Sequence, residues 1–205
     1  QSKKVALVGA GPASLACAAY LRLAGHQAII FERNALPGGL NTTGVAPYKM
    51  NSLDSLREVD FISSLGVEIR CGVEVGKDIS ASALLADFDA VFIGVGLGAD
   101  SKLNIPGEEG PGVYGAVDFI ERLKNQAGFS SSGISNAIVV GGGNTAIDVA
   151  RELAQLGIKK VAMVYRRSIA EMSGYKHEMS AARLESVLLH ERSQPVSVLR
   201  AADGS

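Results

Sequence analysis

Two glycine clusters are the parts of this sequence best suited to chemistry. The first, Gly9-Ala10-Gly11-Pro12-Ala13-Ser14, follows the apolar run Val5-Ala6-Leu7-Val8 and opens a stretch rich in Ala and Leu. A glycine turn between a strand and a helix lets backbone N–H groups approach a pyrophosphate at the positive end of that helix. Gly9 suits the tight turn and Gly11 the close approach. Ser14 stands at the third fingerprint position and is small enough for a helix to lie close to a strand. Glu32 ends the next apolar run, Gln27 to Phe31, roughly 20 residues on, where a carboxylate can accept from both ribose hydroxyls. The pair Gly38-Gly39, followed by Leu40, comes soon after this acid. A plain NAD site has no need of a second glycine pair, so this loop favours FAD.

The second cluster, Gly141-Gly142-Gly143-Asn144-Thr145-Ala146, repeats the arrangement after Ala137-Ile138-Val139-Val140. Here the acid is missing. Tyr165-Arg166-Arg167 ends the following apolar run instead. A guanidinium cannot accept from a 2′-hydroxyl but pairs well with a 2′-phosphate. The second loop therefore favours NADPH, with NADH as the alternative.

The elements that must position these loops can be read around them. Strands are predicted over 3–9, 27–31, 67–71, 90–95, 137–141, 160–165 and 186–190. Helices are predicted over 13–24, 52–65, 80–86, 115–125, 144–156 and 177–184. The stretch 34–51 has neither periodicity and carries Pro37, Gly38, Gly39, Gly44 and Pro47, so it is predicted as a long functional loop. The fold class is α/β, with two Rossmann-type nucleotide-binding units. By this reading residues 1–104 form the first segment of an FAD-binding domain, 105–135 a linker and connecting helix, and 136–205 an incomplete NAD(P)H-binding domain.

Composition bounds the function further. A 205-residue chain with 47% hydrophobic and 20% charged residues has ample material for a core. A net charge of −1 with mixed signs points away from nucleic acid and membrane surfaces as partners. The apolar stretch from Val5 to Leu23 is broken by Gly9, Gly11 and Pro12, so no membrane span is expected and a cytoplasmic protein is the default. The two cysteines, Cys17 and Cys71, form no C-x-x-C pair, which argues against a dithiol reductase. The histidines His26, His177 and His190 have no metal-site spacing. Glu171, Lys176 and His177 read as a solvated polar face, and no catalytic acid or base is assigned.

Taken together, the two loops with Phe31-Glu32, Gly38-Gly39-Leu40 and Tyr165-Arg166-Arg167 resemble the flavoprotein module of the glutamate synthase small subunit and dihydropyrimidine dehydrogenase family. The resemblance implies an NADPH domain inserted within an FAD domain, with hydride passing from nicotinamide to flavin. It also implies that electrons leave through iron–sulfur clusters on a partner subunit or a fused domain. Carried over by position, FAD is contacted by Gly9, Gly11, Ala13, Ser14, Glu32, Gly39, Leu40, Lys49 and Val75. NADPH is contacted by Gly142, Gly143, Asn144, Thr145, Arg166 and Arg167. The chain departs from the family at Tyr48-Lys49-Met50-Asn51, where a Phe-Arg-Leu-Pro-like stretch is usual and Lys49 replaces the arginine. The family pattern continues past Ser205, so the sequence reads as a fragment. Rival readings are a redox-sensing or electron-relay module without turnover of its own, and a flavin monooxygenase.

Overall fold

The computed structural model describes residues 1–200 and divides into two compact units. The first comprises Gln1–Gly44 and Met50–Gly98, and the second comprises Val45–Lys49 and Ala99–Ser205. This division differs from the domains expected above. The stretch 105–135 joins the second unit because its helix buries Phe119 and Ile120 in that unit's core, beside Val139 and Ile147.

In the first unit, β1 (Lys4–Val8), β2 (Gln27–Glu32), β3 (Glu68–Cys71) and β4 (Ala90–Ile93) form a parallel sheet in the order β3-β2-β1-β4. The central strands β1 and β2 are apolar without alternation because both their faces are covered. Val5, Leu7 and Ile30 pack with Leu15, Ala18 and Val59 on one side. Ala6, Ile29 and Phe31 pack with Leu84 on the other. The helices of this unit are α1 (Pro12–Leu23), α2 (Leu40–Thr43), α3 (Ser52–Ser64) and α4 (Ala81–Asp87). Pro12 opens α1 at a position where its missing N–H costs nothing. Asn51 caps α3, its side chain accepting from the Asp54 N–H at 2.9 Å. Helix α2 lies inside the predicted loop. Its four residues are too few to leave a periodic signature, and hydroxyl bonds hold the turn: Thr42 Oγ1 donates to the Pro37 carbonyl at 2.7 Å and Thr43 Oγ1 to the Gly39 carbonyl at 3.1 Å.

In the second unit, β5 (Asn136–Val140), β6 (Lys160–Val164) and β7 (Leu188–His190) form a parallel three-stranded sheet in that order. The accompanying helices are α5 (Ala116–Asn125), α6 (Asn144–Gln155) and α7 (Lys176–Leu184). Helix α6 buries Ala146, Ile147, Val149, Ala150 and Leu153 with Val161 and Met163 of β6 and Met179 of α7. Among the described residues, no helix is long and apolar enough to cross a membrane.

Candidate functional site: two glycine loops with opposite strand ends

The first loop is fixed by close backbone contact on two sides. Gly9 has φ +88°, and a Cβ there would lie 2.7 Å from the Gly94 carbonyl oxygen just beyond β4. Gly39 has φ +57°, and a Cβ there would lie 2.8 Å from the Gly11 Cα. The Gly38 N–H donates to the Ala10 carbonyl at 2.8 Å, so the second glycine pair is packed against the first. Neither contact leaves room for a side chain, and the left-handed backbone adds its own penalty to one.

Gly11 is different. Its φ is −78° and nothing lies within 4 Å of the place its Cβ would take. It is the N-cap of α1, whose first-turn N–H groups have no partner within the helix. Open space at a helix N-terminus, beside backbone that no side chain obstructs, suits a pyrophosphate. Ser14 is fully buried, and a Cβ on Gly94 would fall 2.1 Å from its hydroxyl. Its size therefore serves close helix–sheet packing, and its Oγ finds no hydrogen-bond partner.

Glu32 is 6% exposed although it is charged. Its Oε2 accepts from the Ala10 N–H at 2.7 Å and its Oε1 from the Asn34 N–H at 2.8 Å. An ionised carboxylate has about four acceptor positions, so these bonds orient the group and leave capacity for ribose hydroxyls. Val73 N–H donates to the Glu32 carbonyl at 2.9 Å, which brings the segment after β3, leading to Val75, alongside the same strand end. Leu40 is half exposed and follows Gly39 directly.

The second loop is built from different neighbours. Gly141 N–H donates to the Val164 carbonyl at 3.0 Å. A Cβ on Gly142 would lie 2.5 Å from the Tyr165 ring, so that ring occupies the space. The segment after β6 then folds back, with Gly174 N–H donating to the Gly142 carbonyl at 3.0 Å and Tyr175 N–H to Asn144 Oδ1 at 2.8 Å. Gly143 is the N-cap of α6 with φ −90°, and the only atom near its Cβ position is Ser173 Oγ at 3.7 Å. This repeats the open geometry of Gly11. Thr145 is exposed in the first turn. Arg166 and Arg167 are exposed at the end of β6, and neither guanidinium makes an ion pair among the described residues.

Lys49 belongs to the second unit. Its ammonium pairs with Asp148 at 2.6 Å and Glu178 at 2.8 Å, while Arg151 pairs with Glu178 and, at 2.8 Å, with Glu185. Burial works against the Lys49 charge, but the bonds to Asp148 and Glu178 outweigh it and hold the ammonium above its ordinary range. The bond to Lys49 holds the Glu178 carboxyl low against the opposing effect of burial, with Arg151 adding to it. This ionic cluster, which ties residues 45–49 to α6 and α7, was not foreseen, because its members are scattered in sequence. So were Gly94, Tyr165 and Gly174 as the backs of the two loops. The glycines they face were the available signal.

The polar face at 171–177 serves local structure. Glu171 and Ser168 cap a single 3-10 turn at Ile169–Glu171, and His177 stacks on Tyr175 at 5.5 Å between ring centroids. Cys17 and Cys71 are both free, and among the described residues no three His, Cys, Asp or Glu side chains gather as metal ligands.

Comparisons with known proteins agree with this geometry. The chain is 37% identical over 205 residues to the glutamate synthase [NADPH] small chain of Escherichia coli, covering 96% of this chain and 43% of that one. It is 34% identical over 195 residues to the NAD-dependent dihydropyrimidine dehydrogenase subunit PreT of Salmonella typhimurium, covering 95% and 47%. Among solved structures, Mycobacterium tuberculosis FprA in complex with NADPH matches with a TM-score of 0.70 and 28% identity, covering 89% and 48%. The chain thus spans less than half the length of each. Residues 3–191 match the pyridine nucleotide-disulphide oxidoreductase family, and the chain belongs to that family.

Proposed function

We propose that this chain is the nucleotide-binding part of an FAD-dependent NADPH oxidoreductase. FAD binds at the first loop and NADPH at the second. The observation that carries this reading is the contrast at the two strand ends: buried Glu32, aimed by two N–H groups, against exposed Arg166 and Arg167, which make no ion pair among the described residues. The contact of Gly38-Gly39 with Ala10-Gly11 supports FAD at the first loop, because backbone without side chains lines the path from the pyrophosphate.

When bound together, the nicotinamide and the flavin supply hydride chemistry that the side chains lack. The residues bind and orient. Gly11 and Gly143 leave the two helix N-termini open to pyrophosphates, Glu32 accepts from ribose hydroxyls, and Arg166 and Arg167 pair with a 2′-phosphate. Ala13, Ser14, Leu40, Lys49 and Val75 complete the FAD assignment, and Gly142, Asn144 and Thr145 the NADPH one. Electrons then pass to an iron–sulfur domain or catalytic subunit. This onward step rests on the sequence resemblance.

The test is an anaerobic titration of the FAD-loaded, full-length parent protein with NADPH and, separately, NADH, following the oxidised flavin absorbance. Bleaching at lower NADPH than NADH is expected. Equal or better bleaching by NADH would overturn the NADPH assignment. Retained flavin with no bleaching by either would overturn the oxidoreductase reading in favour of a nucleotide-binding relay.

A further inference from the structure

The chain leaves β6 and β7 at the same edge of the second unit's sheet, because the strands are parallel and Val164 lies opposite His190. Four hydrogen bonds join the two exits into one wall. Tyr165 N–H donates to the His190 carbonyl at 2.9 Å, Ser193 N–H to the Tyr165 carbonyl at 3.0 Å, and Arg192 N–H to the Arg167 carbonyl at 3.1 Å. Ile169 N–H donates to Glu191 Oε2 at 2.6 Å. Arg192 is therefore bonded directly to the segment that carries the arginine pair.

Its backbone is unusual. Arg192 has φ +52°, a conformation that long side chains rarely adopt and that the surrounding bonds must hold. Its side chain is exposed and makes no ion pair among the described residues, like those of Arg166 and Arg167. Two carboxylates stand nearby: Glu191, which accepts from the Ile169 N–H, and Glu171, which is engaged by the Ser168 hydroxyl at 2.7 Å and the Ser168 N–H at 3.0 Å. Those bonds hold the Glu171 carboxyl below its ordinary range, and the guanidiniums of Arg167 and Arg192 both add to the effect. Three guanidiniums against the two carboxylates of this wall, Glu171 and Glu191, leave it net positive, which suits a phosphomonoester of about −1.5 to −2 at neutral pH.

We propose that Arg192 is a third guanidinium of the anion site formed by Arg166 and Arg167, and that it contacts the 2′-phosphate of the dinucleotide bound at the second loop. The proposal rests on the NADPH reading above. It makes the loop after β7, and not the arginine pair alone, a determinant of specificity for the phosphorylated dinucleotide.

The test measures binding of 2′,5′-ADP and of 5′-ADP to the full-length parent protein by calorimetry, for wild type, Arg192→Asn and Arg192→Lys. Asn tolerates the left-handed backbone and removes the charge. Arg192→Gly, which has the same backbone freedom, replaces it should Arg192→Asn misfold. In the charge-removing variant, 2′,5′-ADP is expected to bind about tenfold more weakly with 5′-ADP unchanged, as for loss of one charge-assisted contact. Arg192→Lys is expected to recover part of the loss. Unchanged 2′,5′-ADP binding, or equal weakening of both ligands, would overturn the role of Arg192 and leave the NADPH reading intact. A wild type that binds the two ligands equally would overturn the NADPH reading and this proposal with it.

Discussion

The two glycine loops use one backbone device and differ at the strand end that faces it. In each, a helix begins at a glycine of ordinary φ, Gly11 or Gly143, whose missing side chain leaves open space. In the first, the following strand ends in a buried carboxylate held by the Ala10 and Asn34 N–H groups. In the second, it ends in two exposed guanidiniums. On the proposed reading, the backbone offers a site for pyrophosphate in both cases. On the same reading, the side chain at the strand end decides what else the ligand carries. The backs of the loops differ as well, since backbone of Gly94 and Gly39 closes the first while the Tyr165 ring and Gly174 close the second.

The largest effect should come from adding a methyl group where backbone closes the first loop. Gly9→Ala combines a left-handed φ with a contact 2.7 Å from the Gly94 carbonyl oxygen. A loss of about 3 kcal/mol in stability is expected, together with loss of bound flavin. Thermal melting and flavin content measure the two. Wild-type stability in this variant would contradict the packing described for the loop.

Gly11→Ala and Gly143→Ala sharpen the comparison, because both positions accept a Cβ without strain. Each should change stability by less than about 1 kcal/mol while weakening its own nucleotide about a hundredfold, the methyl standing where the pyrophosphate approaches. Gly11→Ala should spare binding at the second loop, and Gly143→Ala binding at the first. Weakening at the wrong loop would undo the separate assignment of the two sites.

These differences explain what the sequence showed and what it withheld. Both strand–turn–helix units were legible, because Gly9–Ser14 and Gly141–Ala146 each sit between an apolar run and an Ala-rich helix. The places of Glu32 at the end of β2 and of Arg166-Arg167 just after β6 were legible too, because each follows an apolar run at a fixed distance from its glycine loop. Helix α2 was hidden because four residues between glycines show no period, and its hydroxyl bonds depend on tertiary position. The place of residues 45–49 and 105–135 in the second unit was hidden too. It depends on long-range contacts, Lys49 with Asp148 and Glu178, and Phe119 with the core around Ile147. The backbone bond of Arg192 to Arg167 was hidden as well, because it joins the exits of two strands.

Glu32→Gln tests the carboxylate itself. One of its two backbone bonds survives in the amide, and a loss of about 2 kcal/mol in stability is expected because a buried, charge-assisted acceptor is removed. Flavin affinity should fall with it, while NADPH binding at the second loop should not. Equal weakening at both sites would count against the pairing of Glu32 with the first loop.

The smallest effect concerns the ionic cluster of the second unit. Glu178 has its carboxyl held low by Lys49 and Arg151. A lowered carboxyl contributes stability above its unfolded value, near pH 4.3, and that contribution is lost as pH falls through the lower folded value. Glu178→Gln should therefore cost about 1 kcal/mol at pH 7, with the difference from wild type closing below about pH 4. Melting curves across pH 3–7 measure it. A difference that grows as the pH falls would contradict the ion-pair account.

The central claim is that the side chains after β6 choose the dinucleotide of the second loop. Its most direct test is the NADPH and NADH affinity of the full-length parent protein against Arg166→Ala/Arg167→Ala. The account predicts that NADPH binding falls about a hundredfold in the variant while NADH binding stays within about twofold, so that the preference for NADPH disappears. A variant that keeps its preference, or that loses both ligands in equal measure, would contradict it.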